Sequence, residues 1–177
     1  IVGHTFTDRA ARTQFFAQVD LAVNVLTLLV QLFLTGRLLE WLGVTLTLTL
    51  LPLLTLAGFA WMGIMPTVAV IVVFQVLRRA GNFAVARPTR EVLFTLVGRE
   101  DKYKAKSFID TFVYRAGDQV GAWSYALMGA LGLGVAGVAW AAVPISAAWI
   151  VVAWWIGRKH QRAGEAAADA RAAGAAV

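Results

Sequence analysis

Between residues 14 and 157 the sequence passes through five apolar stretches, roughly 14–36, 44–63, 67–97, 107–132 and 135–157. Each is long enough to cross a bilayer as a helix, since about 20 residues at ~1.5 Å rise cover a ~30 Å hydrocarbon core. Barrel strands would instead alternate apolar and polar residues over ~10 positions, and runs such as Ala69 to Phe74 do not alternate. Turn signals separate the stretches: Gly36 and Gly43, Gly63 with Pro66, Gly98, and Gly132 with Gly134. The expected fold class is all-α, a polytopic transmembrane helix bundle of five spans within 14–157. Residues 1–13 are expected as an external segment and the Ala-rich residues 158–177 as a frayed or disordered tail.

Composition agrees, with 59% hydrophobic and 15% charged residues and a mean hydropathy of +0.70, far from the near-even apolar content and quarter of charged residues of soluble domains. The net charge of +6 would suit nucleic acid only if the cations formed a phosphate-binding patch. They sit instead at the ends of apolar stretches or inside them, so the bilayer is the expected partner and nucleic acid is not. Cysteine is absent and His4 and His160 lie near opposite ends, so no disulfide, metal site or cofactor is expected. Gly132, Gly134 and Gly137 spell a dinucleotide-like pattern, but no strand precedes it, and a tight turn is the expectation. No nucleophile elbow, zinc spacing or phosphate loop is found, so no enzymatic activity is expected. The chain begins with Ile1 and shows no signal-peptide pattern, from which a fragment or processed product is expected.

Orientation follows from Lys and Arg in the connections. Arg37, then Arg99, Lys102, Lys104 and Lys106, then Arg158, Lys159, Arg162 and Arg171 mark one side, while the connections at 64–66 and 133–134 are uncharged. The charged side, including the C-terminus, is expected to be cytoplasmic, in a bacterial inner membrane. Trp154 and Trp155 suit an aromatic belt there.

Ionisable groups at membrane depth are costly unless paired or facing water, so each is a candidate functional group. Asp20, Asn24, Thr27 and Gln31 recur at helical spacing and form one polar stripe, readable as a cavity wall or as interhelical hydrogen bonding. Gln75, Arg79 and Asn82 share a face, with Arg78 beside it. Arg79 lies about 20 Å along the helix from Pro66, near mid-membrane, and serves either an anionic ligand or an ion pair with Asp20 or Asp118. Pro88 is expected to break or bend the helix and push Arg87 out of helical geometry. Arg87 and Glu91 are then spaced as a surface pair. Asp110, Tyr114, Gly117, Asp118, Gly121 and Tyr125 share another face, where the glycines would allow close helix approach. Asp118 is readable as a coupling site or as the partner of Arg115.

The segment from Arg87 to Trp123 resembles the ATP:ADP antiporter family of plastids and intracellular bacteria and its bacterial relatives in the major facilitator superfamily. The matching positions are Thr89, Arg90 and Glu91, then Lys102, Lys104 and Lys106, then Ile109 and Asp110, then Gly117 and Gly121. Thr35 to Gly43 is similar to a short cytoplasmic loop of a facilitator half. The chain departs from the family at Arg90, where a lysine is usual, and at Asp118 and Gln119, where Lys-Ser is usual. The resemblance implies the C-terminal part of a facilitator-type transporter whose partner is the missing N-terminal half. It implies alternating access for an anionic small-molecule substrate, ATP or ADP foremost. The substrate is expected at Arg79, Arg78, Asn82, Gln75, Arg90, Arg115, Asp20 and Asn24, and coupling or gating at Asp110, Asp118, Glu91, Lys102 and Lys106. The alternative is a non-transporting scaffold or regulatory subunit whose intramembrane charges are structural pairs.

Overall fold

A computed structural model of the chain describes residues 9–175, and they are almost entirely helical, with no strand among them. Helix α1 is Arg9–Phe33, α2 Thr35–Ile64 and α3 Val68–Gly81. A π-helical turn, Asn82–Ala86, joins α3 to α4, Arg87–Leu93. After the 3-10 turn Phe94–Leu96 come α5, Arg99–Phe108, a second π-helical turn, Ile109–Val113, α6, Tyr114–Ala130, and α7, Val135–Ala175.

Three segments are long and apolar enough to cross a membrane: Thr13–Ile64, Val68–Leu93 and Val135–Ala170. The stretch 107–132, expected as a further span, is helical but not among them; Asp110, Arg115, Asp118 and Gln119 dilute its apolar content. The first two expected spans join into one kinked helical run because the connection at 37–43 is itself helical. Within α2 only Gly43 departs from helical geometry, at φ 69° and ψ 175°, a conformation open essentially to glycine alone. The Thr47 hydroxyl lies 2.7 Å from the Gly43 carbonyl and so occupies an acceptor at the kink.

Two further expectations are corrected. The tail continues α7 as helix to Ala175 rather than fraying at 158, as its alanine content permits. The external segment 1–13 lies mostly outside the described residues, and its part from Arg9 onward already belongs to α1.

Packing is closest between α2 and α7, where small residues let backbones meet. A Cβ on Gly157 would sit 2.6 Å from the Thr45 Cα, and one on Gly63 2.8 Å from the Trp140 ring. Gly58 receives the Phe74 ring of α3 so closely that a Cβ would be 2.0 Å from it. Val19 and Val23 of α1 and Val70, Phe74 and Ala80 of α3 complete this core. Most of the apolar surface nevertheless points outward: the share of each spanning window buried inside the chain runs from 33% in 13–64 down to 11% in 135–170. Helix α6 is exposed along nearly its whole length, and a Cβ on Gly117 or Gly121 would have nothing within 4 Å. The glycine face expected to seat a neighbouring helix therefore meets none within the described residues. The turn at Gly132, φ 74°, is as tight as expected.

Candidate functional site

The site grows out of an irregularity in the backbone. Proline inside a helix lacks the N–H that would reach back four residues, and its ring crowds that carbonyl. Here the helix does not break at Pro88: Arg87 keeps helical geometry, φ −64° and ψ −52°, because the preceding turn widens to π and the Arg87 N–H bonds to Asn82. This corrects the expectation that Arg87 leaves the helix. The Phe83 and Ala84 carbonyls thereby lose their ordinary donors, Arg87 N–H and the absent Pro88 N–H. Both are satisfied from other helices: Gln31 Nε2 donates to Phe83 at 3.1 Å and the buried Thr35 hydroxyl to Ala84 at 2.7 Å. The Thr89 hydroxyl, fully buried, donates to Val85 at 2.7 Å.

Directly after this turn, α4 presents Arg87, Arg90 and Glu91 toward α5 and the second π-helical turn. Lys106 Nζ lies 2.7 Å from Glu91 Oε1, and Arg90 donates to the Tyr114 hydroxyl while lying over its ring, 5.4 Å from the centroid. Arg87 lies over Phe83 at 4.4 Å rather than pairing with Glu91. These groups, with Phe94, Ile109 and Asp110, line a cavity of about 360 Å³. Arg87 and Glu91 also border a second cavity of about 450 Å³ against Asn24, Thr27 and Gln31 of α1. Both volumes fall in the range of small-molecule sites. Three cations face two carboxylates in the first cavity, which leaves one positive charge over. The hydrogen bond from Lys106 to Glu91, with desolvation opposing it, raises the Lys106 pKa above its ordinary 10.5.

Of the expected site residues, Arg90, Glu91, Lys106 and Asp110 converge on this cavity, and Asn24 borders its neighbour. Asn82 lines a third, largely apolar cavity of about 320 Å³ with Arg90, Tyr114 and Trp149. The Arg79 guanidinium is 2.5 Å from Asp20, one of the two acids expected as a partner, and the pair ties α1 to α3. Neither Arg79 nor Asp20 lines any of these three cavities, and nor do Gln75, Arg78, Lys102, Arg115 and Asp118. No ion pair within 4.0 Å joins Arg115 to Asp118 among the described residues. Arg87 and Tyr114 were not expected in the site; the usable signal was an Arg-Pro step inside an apolar helix, where the backbone must rearrange. Among the described residues no group of His, Cys, Asp or Glu is arranged to hold a metal ion.

The arrangement suits recognition of an anion. Guanidinium groups offer fixed forks of donors to carboxylate or phosphate, and Lys106 adds a point charge. By fold the chain is an all-helical protein with three helices long and apolar enough to span a membrane. Comparison with family models, with curated proteins and with solved structures finds no match.

Proposed function

We propose that the chain is an integral membrane protein, part of a transporter that moves an anionic solute by alternating access, with ATP/ADP exchange the leading activity. The observation that carries this reading is the cavity in which Arg87, Arg90 and Lys106 meet beside Glu91 and Asp110. Ionisable groups gathered at the end of an apolar helix are candidates for ligand, ion or proton traffic. The resemblance over Arg87 to Trp123 supplies the facilitator class, the nucleotide substrate and the need for an N-terminal half. Two helices with π-turns meet at the cavity, and such turns concentrate at functional sites. In this reading Arg87, Arg90 and Lys106 hold the anion, and Glu91 and Asp110 act as counter-charges that exchange with it. The membrane is a bacterial inner membrane and the C-terminus is cytoplasmic.

The test is uptake of radiolabelled ATP, ADP and other phosphorylated solutes into vesicles carrying the complete transporter. Arg90→Gln is expected to weaken binding roughly 10- to 100-fold, the loss of one charged hydrogen-bonding group, with insertion unchanged. Normal folding with no uptake of any anion would sink the reading. The Asp20–Arg79 and Glu91–Lys106 pairs favour a second reading, a non-transporting scaffold. It predicts that Arg90→Gln and Lys106→Gln alter stability and leave ligand binding nil throughout.

A further inference from the structure

A separate basic cleft lies on α7, remote in sequence from the cavity lined by α4 and α5. Val151, Trp154, Trp155, Arg158, Lys159 and Arg162 line a depression of about 570 Å³. Their spacing of three, four, seven, eight and eleven residues from Val151 makes them one stripe of a helix. The opposite face packs inward: Ala153 and Gly157 are buried, Gly157 against Thr45 of α2. The stripe thus faces away from the bundle. Its lower part is apolar and aromatic and its upper part carries three cations, a polarity that follows the end of the apolar run 135–157.

The cations are held over the indoles. Arg158 lies 4.8 Å from the Trp154 ring centroid and Lys159 5.4 Å from that of Trp155. Such contacts orient the charges without neutralising them. No carboxylate lines the cleft, and among the described residues none of Arg158, Lys159 and Arg162 has an ion-pair partner within 4.0 Å. Glu165 and Asp169 follow on the same helix, outside the cleft. A soluble anion has no use for the apolar lower half. A phospholipid matches both parts, its phosphate against the cations and its glycerol and upper acyl chains along Val151 and the indoles.

We propose that this cleft is a binding site for the headgroup of an anionic phospholipid, which seats α7 at the membrane surface where its apolar run ends. The proposal rests on the membrane placement above but not on transport. The full chain is reconstituted in vesicles of phosphatidylcholine containing one fifth phosphatidylglycerol, then taken into detergent, and the co-purifying lipids are counted by native mass spectrometry. The expected result is retention of phosphatidylglycerol well above its share. At about five-fold per cation, the triple variant R158Q/K159Q/R162Q loses on the order of 100-fold of that preference. R158K/R162K keeps most of it, and R99Q/K102Q/K104Q on α5 leaves it unchanged. Retention of the two lipids in proportion, or a triple variant equal to the parent, overturns the site. So does displacement of the lipid by millimolar inorganic phosphate, which would mark a soluble-anion site. Extraction of the parent chain from vesicles by alkaline carbonate overturns the membrane placement and the site together, and so separates the two failures.

Discussion

At the scale of single residues, glycines divide by what surrounds them. Gly157 has the Thr45 backbone where a Cβ would go, and backbone cannot swing aside. Gly157→Ala is expected to cost about 1–3 kcal/mol through overpacking, whereas Gly117→Ala, open on all sides, is expected to be neutral or up to about 1 kcal/mol stabilising through helix propensity. Denaturant titration of the two variants checks this; equal effects would contradict the α2–α7 contact. Arg79 and Asp20 form a second case. Asp20→Asn leaves the part-exposed Arg79 guanidinium without its partner, an expected loss of up to about 1 kcal/mol, and the double variant with Arg79→Gln recovers most of it. The same titration reads the recovery as a double-mutant cycle.

At the scale of elements, the turn before Pro88 depends on donors from elsewhere. Thr35 opens α2 and its hydroxyl satisfies the Ala84 carbonyl that proline leaves open. Thr35→Val keeps the shape and removes the donor, with an expected cost of about 1–3 kcal/mol for a buried unsatisfied carbonyl. Thr35→Ser is expected to restore it. Amide hydrogen exchange over residues 82–91 reports the effect locally, with faster exchange in Thr35→Val alone. The turn matters because it sets the direction in which Arg87, Arg90 and Glu91 leave α4. A regular α-turn would rotate them away from α5 by part of a turn.

At the scale of the whole molecule, α5 and α6 are joined to the remaining helices chiefly through side chains, Lys106 to Glu91 and Arg90 to Tyr114. The Lys106 pKa is raised in the folded chain, so its contribution is fully present below the ordinary 10.5 and is lost as pH climbs through the raised value. The distance between spin labels on Thr95 and Thr111 is therefore expected to stay constant from neutral to moderately alkaline pH and to widen only in strong alkali. Lys106→Gln is expected to widen it at every pH. A label distance that changes near neutrality would contradict the assignment.

Helicity, the apolar segments other than 107–132 and the polar stripe of α1 were legible in the sequence because hydrophobic periodicity and span length are local properties. Pro88 was legible as a disturbance but not its resolution, since the widened turn is stable only with Gln31 and Thr35 brought from two other helices. The partner of Arg79 stayed open between Asp20 and Asp118 until packing placed α1 beside α3. The exposed face of α6 was read as a packing face because its glycines have the right spacing, and spacing says what could approach, not what does. Sequence by itself determined which segments are helical and which residues are expensive to bury. Tertiary structure alone decided which of those charges meet, because ion pairs and cavities form between segments far apart in the chain, at separations that no local pattern encodes.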